Sequence, residues 1–290
     1  MLKVLEAFGE PISHGGQEAF VMNYARNADY NKFTIDYLTP YYCDNREISD
    51  FVKSKKGRLI AFNEKFNPGK SRFNICQTLD DFFKKNSYDV VHIHSGSISI
   101  LGIFAYYAKK NGVKKVIVHS HASIEHKSMK NTILRYLCGV ILNKYADSYC
   151  ACSEAAGKAK FTEYIVKNKL VIIKNGIDLD KFRYNEAIRT TVREALKITN
   201  REFVIGHVGR FSKEKNHEFL INIFSELRLK NSNAKLILVG DGILNSKIQD
   251  LVNLKGLKDK VIFTGNVNNV QDYMQAMDFF IFPSSYEGLG

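Results

Sequence analysis

This 290-residue sequence predicts two doubly wound α/β domains. Three observations carry the prediction. Short apolar runs of strand length recur along the whole chain, with helically spaced segments between several of them. Glycines follow closely on many of these runs. A polar, charged stretch over 175–199 lacks a strand signal and separates the runs into two series. Short apolar strands joined by helices indicate parallel sheets covered on both faces. The length, at ~100–200 residues per domain, also suggests two.

The first series of strands is Lys3–Phe8, Phe33–Leu38, Leu59–Phe62, Val90–Ile93, Val116–Val118, Ser148–Cys152 and Leu170–Ile173. Helical spacing marks Glu18–Ala28, Asn74–Lys85 and Asn131–Tyr145 between them. The second series is Phe203–Val208, Lys235–Val239, Val261–Phe263 and Phe279–Phe282. The predicted domains are residues 1–178 and 179–290.

With 20 Phe, 15 Tyr and 45% hydrophobic residues, the chain is not a disordered one. No apolar run approaches the ~18–20 residues needed to cross a bilayer. The start, Met1 to Gly16, lacks the basic stretch, apolar block and cleavage site of a signal peptide. Five cysteines, none in Cys-x-x-Cys spacing, argue against a disulfide framework or a zinc ribbon. Cys150 and Cys152 read as buried small hydrophobes, and the predicted setting is a reducing cytoplasm. The formal net charge of +12 is spread along the chain and favours anionic partners: phosphates, acidic lipid or nucleic acid. No nucleic-acid motif accompanies it, so nucleic acid is not expected as a partner.

In open parallel sheets, ligands bind beyond the carboxyl ends of the strands. Gly15 and Gly16 follow the first strand and precede a helix; Gly209, Gly240, Gly242 and Gly265 follow strands of the second series, and Gly288 closely follows its last. Glycine lets backbone approach a ligand, and a helix N-terminus presents free N–H groups to an anion. Two such edges facing each other would make a cleft suited to a nucleotide.

Three segments carry chemistry. In Gly209-Arg210-Phe211-Ser212-Lys213-Glu214-Lys215-Asn216, between a strand and a helix, the Arg210 fork and the Lys215 point charge suit a diphosphate. In Phe282-Pro283-Ser284-Ser285-Tyr286-Glu287-Gly288, Glu287 would sit at the mouth of a helix, able to accept hydrogen bonds from sugar hydroxyls. Lys174-Asn175-Gly176-Ile177-Asp178 makes a tight turn where the chain leaves the first domain.

These segments, in this order, resemble the GT-B glycosyltransferases of the retaining glycosyltransferase family 4. Members carry an Asn-Gly-Ile-Asp turn, a Gly-Arg loop with a following Lys, and a Pro-Ser-x-x-Glu-Gly turn. Gly15 and Gly16 are similar to the family's glycine turn. Asp89-Val90-Val91-His92-Ile93-His94-Ser95 and Val118-His119-Ser120-His121-Ala122 are similar to its strand ends, in the form of the branch that builds bacterial exopolysaccharide and capsule. The resemblance implies two Rossmann-like domains facing across a cleft. It implies that Arg210 and Lys215 hold the donor diphosphate, Glu287 binds donor-sugar hydroxyls and His121 approaches the reacting carbon. Gly16, beside Gly15, would offer backbone N–H to the diphosphate; the base would rest near Gly265, Asn266 and Val267. Gly209 opens the diphosphate loop.

The implied activity is retaining transfer of a sugar from a nucleotide-sugar, UDP-sugar favoured, to a lipid-linked or polysaccharide acceptor, without metal or other cofactor. Stabilisation of the departing diphosphate by Arg210, Lys215 and helix N-termini makes a divalent cation dispensable. The family's second glutamate would lie beyond Gly290, so the expectation is an incomplete second domain and weak donor binding. The predicted location is cytoplasmic, with a peripheral place on the inner membrane face left open. The apolar stripe Ile133, Leu134, Leu137, Val140 and Ile141, flanked by Lys127, Lys130, Arg135 and Lys144, suits an interfacial helix or equally a core-facing one.

Two other readings stand beside this one. One is a non-catalytic nucleotide-sugar-binding or assembly subunit. The other is a metal-dependent hydrolase built on His92/His94 and His119/His121 with His126, since alternation puts both members of each pair on one sheet face.

Overall fold

The computed structural model describes residues 1–67, 72–121, 129–285 and 287. They form two compact units, Met1–Ile177, to which Glu287 is also assigned, and Asp178–Tyr286. Both units are α/β with parallel sheets, as the strand and helix alternation predicts.

The first unit holds a seven-stranded sheet of β1 (Leu2–Phe8), β2 (Phe33–Thr39), β3 (Leu59–Ala61), β4 (Val90–Ser95), β5 (Lys115–Ser120), β6 (Ser148–Ala151) and β7 (Leu170–Ile172). Its order is β3-β2-β1-β4-β5-β6-β7, and every pairing is parallel. The expected helices lie at Gly16–Arg26, Cys76–Lys85 and Met129–Tyr145. Alternation splits the strand residues between two cores. Leu5, Ala7, Val91 and Ile93 pack on one face with Phe104 and Leu101 of the helix Ile98–Lys110. Phe8, Ile35 and Tyr37 pack on the other with Phe20, Val21 and Ala25 of the helix Gly16–Arg26. Full burial of a side chain such as Phe104 contributes about 1.5–3 kcal/mol.

The second unit holds β8 (Phe203–Val208), β9 (Ala234–Val239), β10 (Val261–Gly265) and β11 (Phe279–Phe280) in the order β10-β9-β8-β11, again all parallel. The polar stretch 175–199, without a strand signal, contains two helices, Leu179–Phe182 and Glu186–Ala195. The second is a built part of this unit, with Val192 packed on its core and two arginines turned inward. Buried Arg193 donates to the carbonyls of Ala276, Thr199 and Glu202 and pairs with Asp278 at 3.4 Å. Arg189, one turn earlier, donates to the carbonyls of Gln275 and Met277.

All five cysteines are free thiols; Cys150 and Cys152 are buried, and burial pushes the Cys150 thiol up to about 11. Among the described residues, no helix is long and apolar enough to cross a membrane.

Candidate functional site

Strand order locates the site in each unit. Where a parallel sheet reverses its winding, the connections leave opposite faces and a crevice opens beyond the carboxyl ends of the two adjacent strands. The reversal lies between β1 and β4 in the first unit and between β8 and β11 in the second.

In the first unit, the crevice residues are those after β1 and at the ends of β4 and its neighbour β5. Register sets Glu6 beside His92 and His94 beside His119, so alternation gathers one carboxylate and several imidazoles on a single sheet face. Glu6 Oε2 lies 2.8 Å from His94 Nε2 and 3.3 Å from His92 Nδ1. His94 Nδ1 is 3.0 Å from His121 Nε2, and His92 Nε2 is 3.2 Å from His119 Nδ1. Glu6, His94 and His119 are buried, while His92 and His121 are partly exposed.

Burial alone would raise the Glu6 carboxyl; the paired His92 and His94 outweigh it and hold Glu6 well below the usual carboxylate range. Glu6 is therefore ionised and only accepts. Burial, together with the charge of His92, pushes His94 down to about 4. Burial and the neighbouring imidazoles also push His119 and His121 well below the ordinary histidine range. One carboxylate balances at most one imidazolium here.

The helix Gly16–Arg26 walls this cluster. Its Phe20 ring packs edge-on against His119 at 4.7 Å and His121 at 5.3 Å between centroids. Gly15 caps the helix in an extended conformation with no side-chain cap. The exposed Gly16 has open space where a Cβ would stand, the room a ligand would need. Glu18 in the first turn accepts from the Ser13 N–H, so this N-terminus already has a carboxylate of its own nearby. The structure thus brings Gly15, Gly16 and His121 to the same helix and sheet edge of one unit.

In the second unit, three glycines line the strand ends. Gly240 has φ +126, and a Cβ there would come within 2.3 Å of Gly209 O. Its N–H donates to Gly265 O at 2.9 Å, and Gly209 donates to Val239 O at 2.9 Å. Gly265 itself has φ +69. The ends of β8, β9 and β10 therefore pack as bare backbone. Arg210 is exposed beside this floor, and the stem of Lys215 runs along Gly209, 3.4 Å from a Cβ built there. The Phe282–Ser285 segment is tied to the same loop. Ser285 donates to Glu214 O at 2.8 Å, Asn216 Nδ2 lies 3.4 Å from Pro283 O, and Lys215 Nζ stands 4.9 Å over the Phe282 ring. Asn266 is exposed, while Val267 is partly buried, packed against the core.

Beneath the loop lie two more buried histidines. His207 donates from Nδ1 to Ile281 O at 2.9 Å. His217 stacks on Phe211 with centroids 4.1 Å apart, and neither ring nitrogen has a partner. Burial, with the charge of His207 and Lys215, pushes His217 down to about 4.

The Lys174–Asp178 turn closes the first unit. Asn23 Nδ2 donates to Gly176 O, and Asp178 caps the next helix through the Asp180 N–H. Glu287 is half-buried; its expected place at a helix mouth lies outside the described residues, as do Ala122, His126, Lys127 and Gly288.

Sequence reasoning missed Glu6, the organiser of the histidines. The signal was a charged residue between Leu5 and Ala7 in a strand covered on both faces, a position that demands a partner. It also passed over Asp178-Leu179-Asp180, which has Asp-x-Asp spacing; Asp178 is used as a helix cap and Asp180 lies 3.3 Å from Arg183.

The metal reading gains one observation: His92, His94 and His119 offer ligand atoms within 4.8 Å of one another. Both nitrogens of His92 and His94 are already engaged, so an ion would have to displace hydrogen bonds to Glu6, His119 or His121.

Comparison with known proteins agrees with the motif order. Residues 14–181 match the family described as Glycosyltransferase Family 4, and residues 188–290 match Glycosyl transferases group 1. The chain is 30% identical over 284 residues to the protein named as glycosyltransferase EpsF of Bacillus subtilis (strain 168), covering 96% of this chain and 72% of that one. It is 28% identical over 219 residues to the UDP-Gal:alpha-D-GlcNAc-diphosphoundecaprenol alpha-1,3-galactosyltransferase of Escherichia coli, covering 73% of this chain and 56% of that one. Anabaena HepE, solved in complex with UDP and glucose, superimposes with a TM-score of 0.74 at 17% identity, over 98% of this chain and 74% of that one. The chain belongs to glycosyltransferase family 4 and has that family's GT-B architecture of two Rossmann-like domains.

Proposed function

We propose that this protein transfers a sugar, with retention at the anomeric carbon, from a UDP-sugar to a lipid-linked or glycan acceptor in the synthesis of cell-surface polysaccharide. Family membership supports the reaction class. The observation that carries the donor reading is the glycine floor of the second unit, with Arg210 and Lys215 on the loop beside it. Backbone that close to solvent, next to two cations, suits a diphosphate.

In the reaction, the bond from the anomeric carbon to the diphosphate oxygen breaks and a bond to the acceptor oxygen forms. The acceptor's proton leaves with the departing phosphate. Arg210 and Lys215 neutralise the charge that grows on that leaving group. Glu287 and His121 hold hydroxyls of the transferred sugar. Gly265, Asn266 and Val267 receive the base through backbone. No metal or other cofactor enters this scheme. The name of the Escherichia coli galactosyltransferase, which gives UDP-Gal as donor and a diphosphoundecaprenol-linked sugar as acceptor, supports the choice of UDP and of a lipid-linked acceptor.

Turnover against a panel of nucleotide-sugars, with membrane extract supplying acceptor, tests the proposal. Sugar transfer from a UDP-sugar that disappears in His121→Ala and Glu287→Ala is expected. Saturable binding without turnover would favour a non-catalytic binding subunit. Stoichiometric zinc or manganese in the purified protein would favour the hydrolase reading.

The same proposal places the first unit on anionic lipid through the helix Met129–Tyr145. Ile133, Leu134, Leu137 and Val140 are exposed on it with Tyr136, beside exposed Lys144, whereas Ile141 turns inward to Gly102. Arg135 does not serve as a free basic flank, because it donates to the carbonyls of Lys158 and Phe161. Sedimentation with acidic liposomes at low salt should pellet the protein and neutral liposomes should not; no difference would reject the membrane placement.

A further inference from the structure

The histidines of the first unit make a directed chain rather than a loose cluster. Glu6 accepts only, so the His94 nitrogen 2.8 Å away, Nε2, must carry a proton. A neutral imidazole protonated at Nε2 has a lone pair at Nδ1. His121 Nε2, 3.0 Å from that lone pair, is then the donor of the next bond. The same rule applied once more leaves His121 Nδ1 unprotonated. That atom makes no hydrogen bond among the described residues, and the His121 ring is partly exposed. Phe20 packs against this ring and against the His119 ring, and so resists their rotation.

We propose that Glu6, acting through His94, fixes His121 as the tautomer protonated at Nε2, so that Nδ1 is always an acceptor and the group it meets is a donor. That group is a hydroxyl of the transferred sugar and not a diphosphate oxygen, which has no proton to give. Glu6 and His94 are positioning residues in this scheme; the proposal rests on the reading that His121 faces the donor sugar. It adds to that reading which ligand atom type His121 selects, and which buried carboxylate sets the selection.

Two measurements on the 290-residue protein test it. The first is a long-range 1H–15N spectrum of the histidine rings at neutral pH, with His121→Gln used to assign the His121 signals. A single form protonated at Nε2 is expected in the wild type, and a mixed population in Glu6→Gln. A wild-type ring that is protonated at Nδ1, or that averages between the two forms, would overturn the proposal. The wild-type spectrum decides this point even where Glu6→Gln does not fold.

The second measurement compares UDP affinity with turnover of a UDP-sugar. Glu6→Gln should lower kcat about 10–100-fold, the usual cost of disturbing a group that orients a functional histidine. Its affinity for UDP, which lacks the transferred sugar, should stay within about twofold. A matching fall in UDP affinity would show His121 on phosphate and overturn the proposal. Full turnover in His121→Ala would instead remove the placement of His121 at the donor, and the proposal with it. Impaired His121→Ala with a mixed wild-type tautomer would overturn the tautomer lock alone.

Discussion

Both units bury histidines under the point where strand order reverses, and they treat them in opposite ways. In the first unit, His92 and His94 share the Glu6 carboxylate and pass the orientation on to His119 and His121. In the second, His217 lies face to face with Phe211 and bonds to nothing through its ring. One buried carboxylate makes the difference. With it, an imidazole is a directed hydrogen-bonding group whose tautomer is set. Without it, the same side chain is an aromatic slab that carries a standing cost for two unpaired nitrogens.

The largest expected effect comes from removing the organiser. Glu6→Ala strips the acceptor from two histidines and should destabilise the protein by about 3–5 kcal/mol. His217→Leu, the corresponding truncation in the second unit, should cost under about 1.5 kcal/mol, since it removes unpaired groups as well as volume. Urea unfolding of both variants checks the contrast; equal losses would break it.

Acid should reveal both sites. His94 and His217 are held near 4 in the folded protein, against an ordinary value near 6.5. A depressed histidine leaves the unfolded chain binding more protons. Its stability contribution is therefore intact above about 6.5 and is lost as pH falls towards 4, by about 3 kcal/mol per group. His217→Phe should remove one share and flatten the decline of the urea midpoint between pH 7.5 and 4.5. An unchanged slope would mean that His217 does not titrate as its burial requires.

The glycines extend the comparison. Gly240→Ala places a Cβ against Gly209 O at a backbone angle that side chains avoid. A cost of about 1–3 kcal/mol is expected, with a measurable loss of UDP affinity as the loop shifts. Gly16→Ala meets open space at a helix start and should change stability by under about 1 kcal/mol. Thermal melts of the pair distinguish a packed floor from an open one.

The sequence made much of this visible. Apolar runs marked every strand of both sheets, because strands covered on two faces are mostly apolar. The Gly209–Asn216 and Phe282–Ser285 segments could be singled out by residue type, and the structure joins them through Ser285 and Asn216. Two features escaped for one physical reason: polar groups buried by pairing do not show in an apolar pattern. Glu6 hid inside a strand read as apolar, and its meaning depends on histidines about 90 residues away in sequence. The helix Glu186–Ala195 hid in a charged stretch because Arg189 and Arg193 face inward, onto Asp278 and main-chain carbonyls. Strand order, which picks out the two crevices, is a long-range property that no local spacing carries.

In the proposed reaction a nucleoside diphosphate rests on the glycine floor of the second unit, held by Arg210 and Lys215. Calorimetric titration of the protein with UDP tests it most directly, run on the wild type, Arg210→Ala, Lys215→Ala and, as a control on the same loop, Lys213→Ala. Saturable binding is expected of the wild type and of Lys213→Ala. Affinity about 10–100-fold weaker is expected of the other two, as for the loss of a charge-assisted hydrogen bond. Equal affinity in all four proteins, or no binding by the wild type, would contradict it.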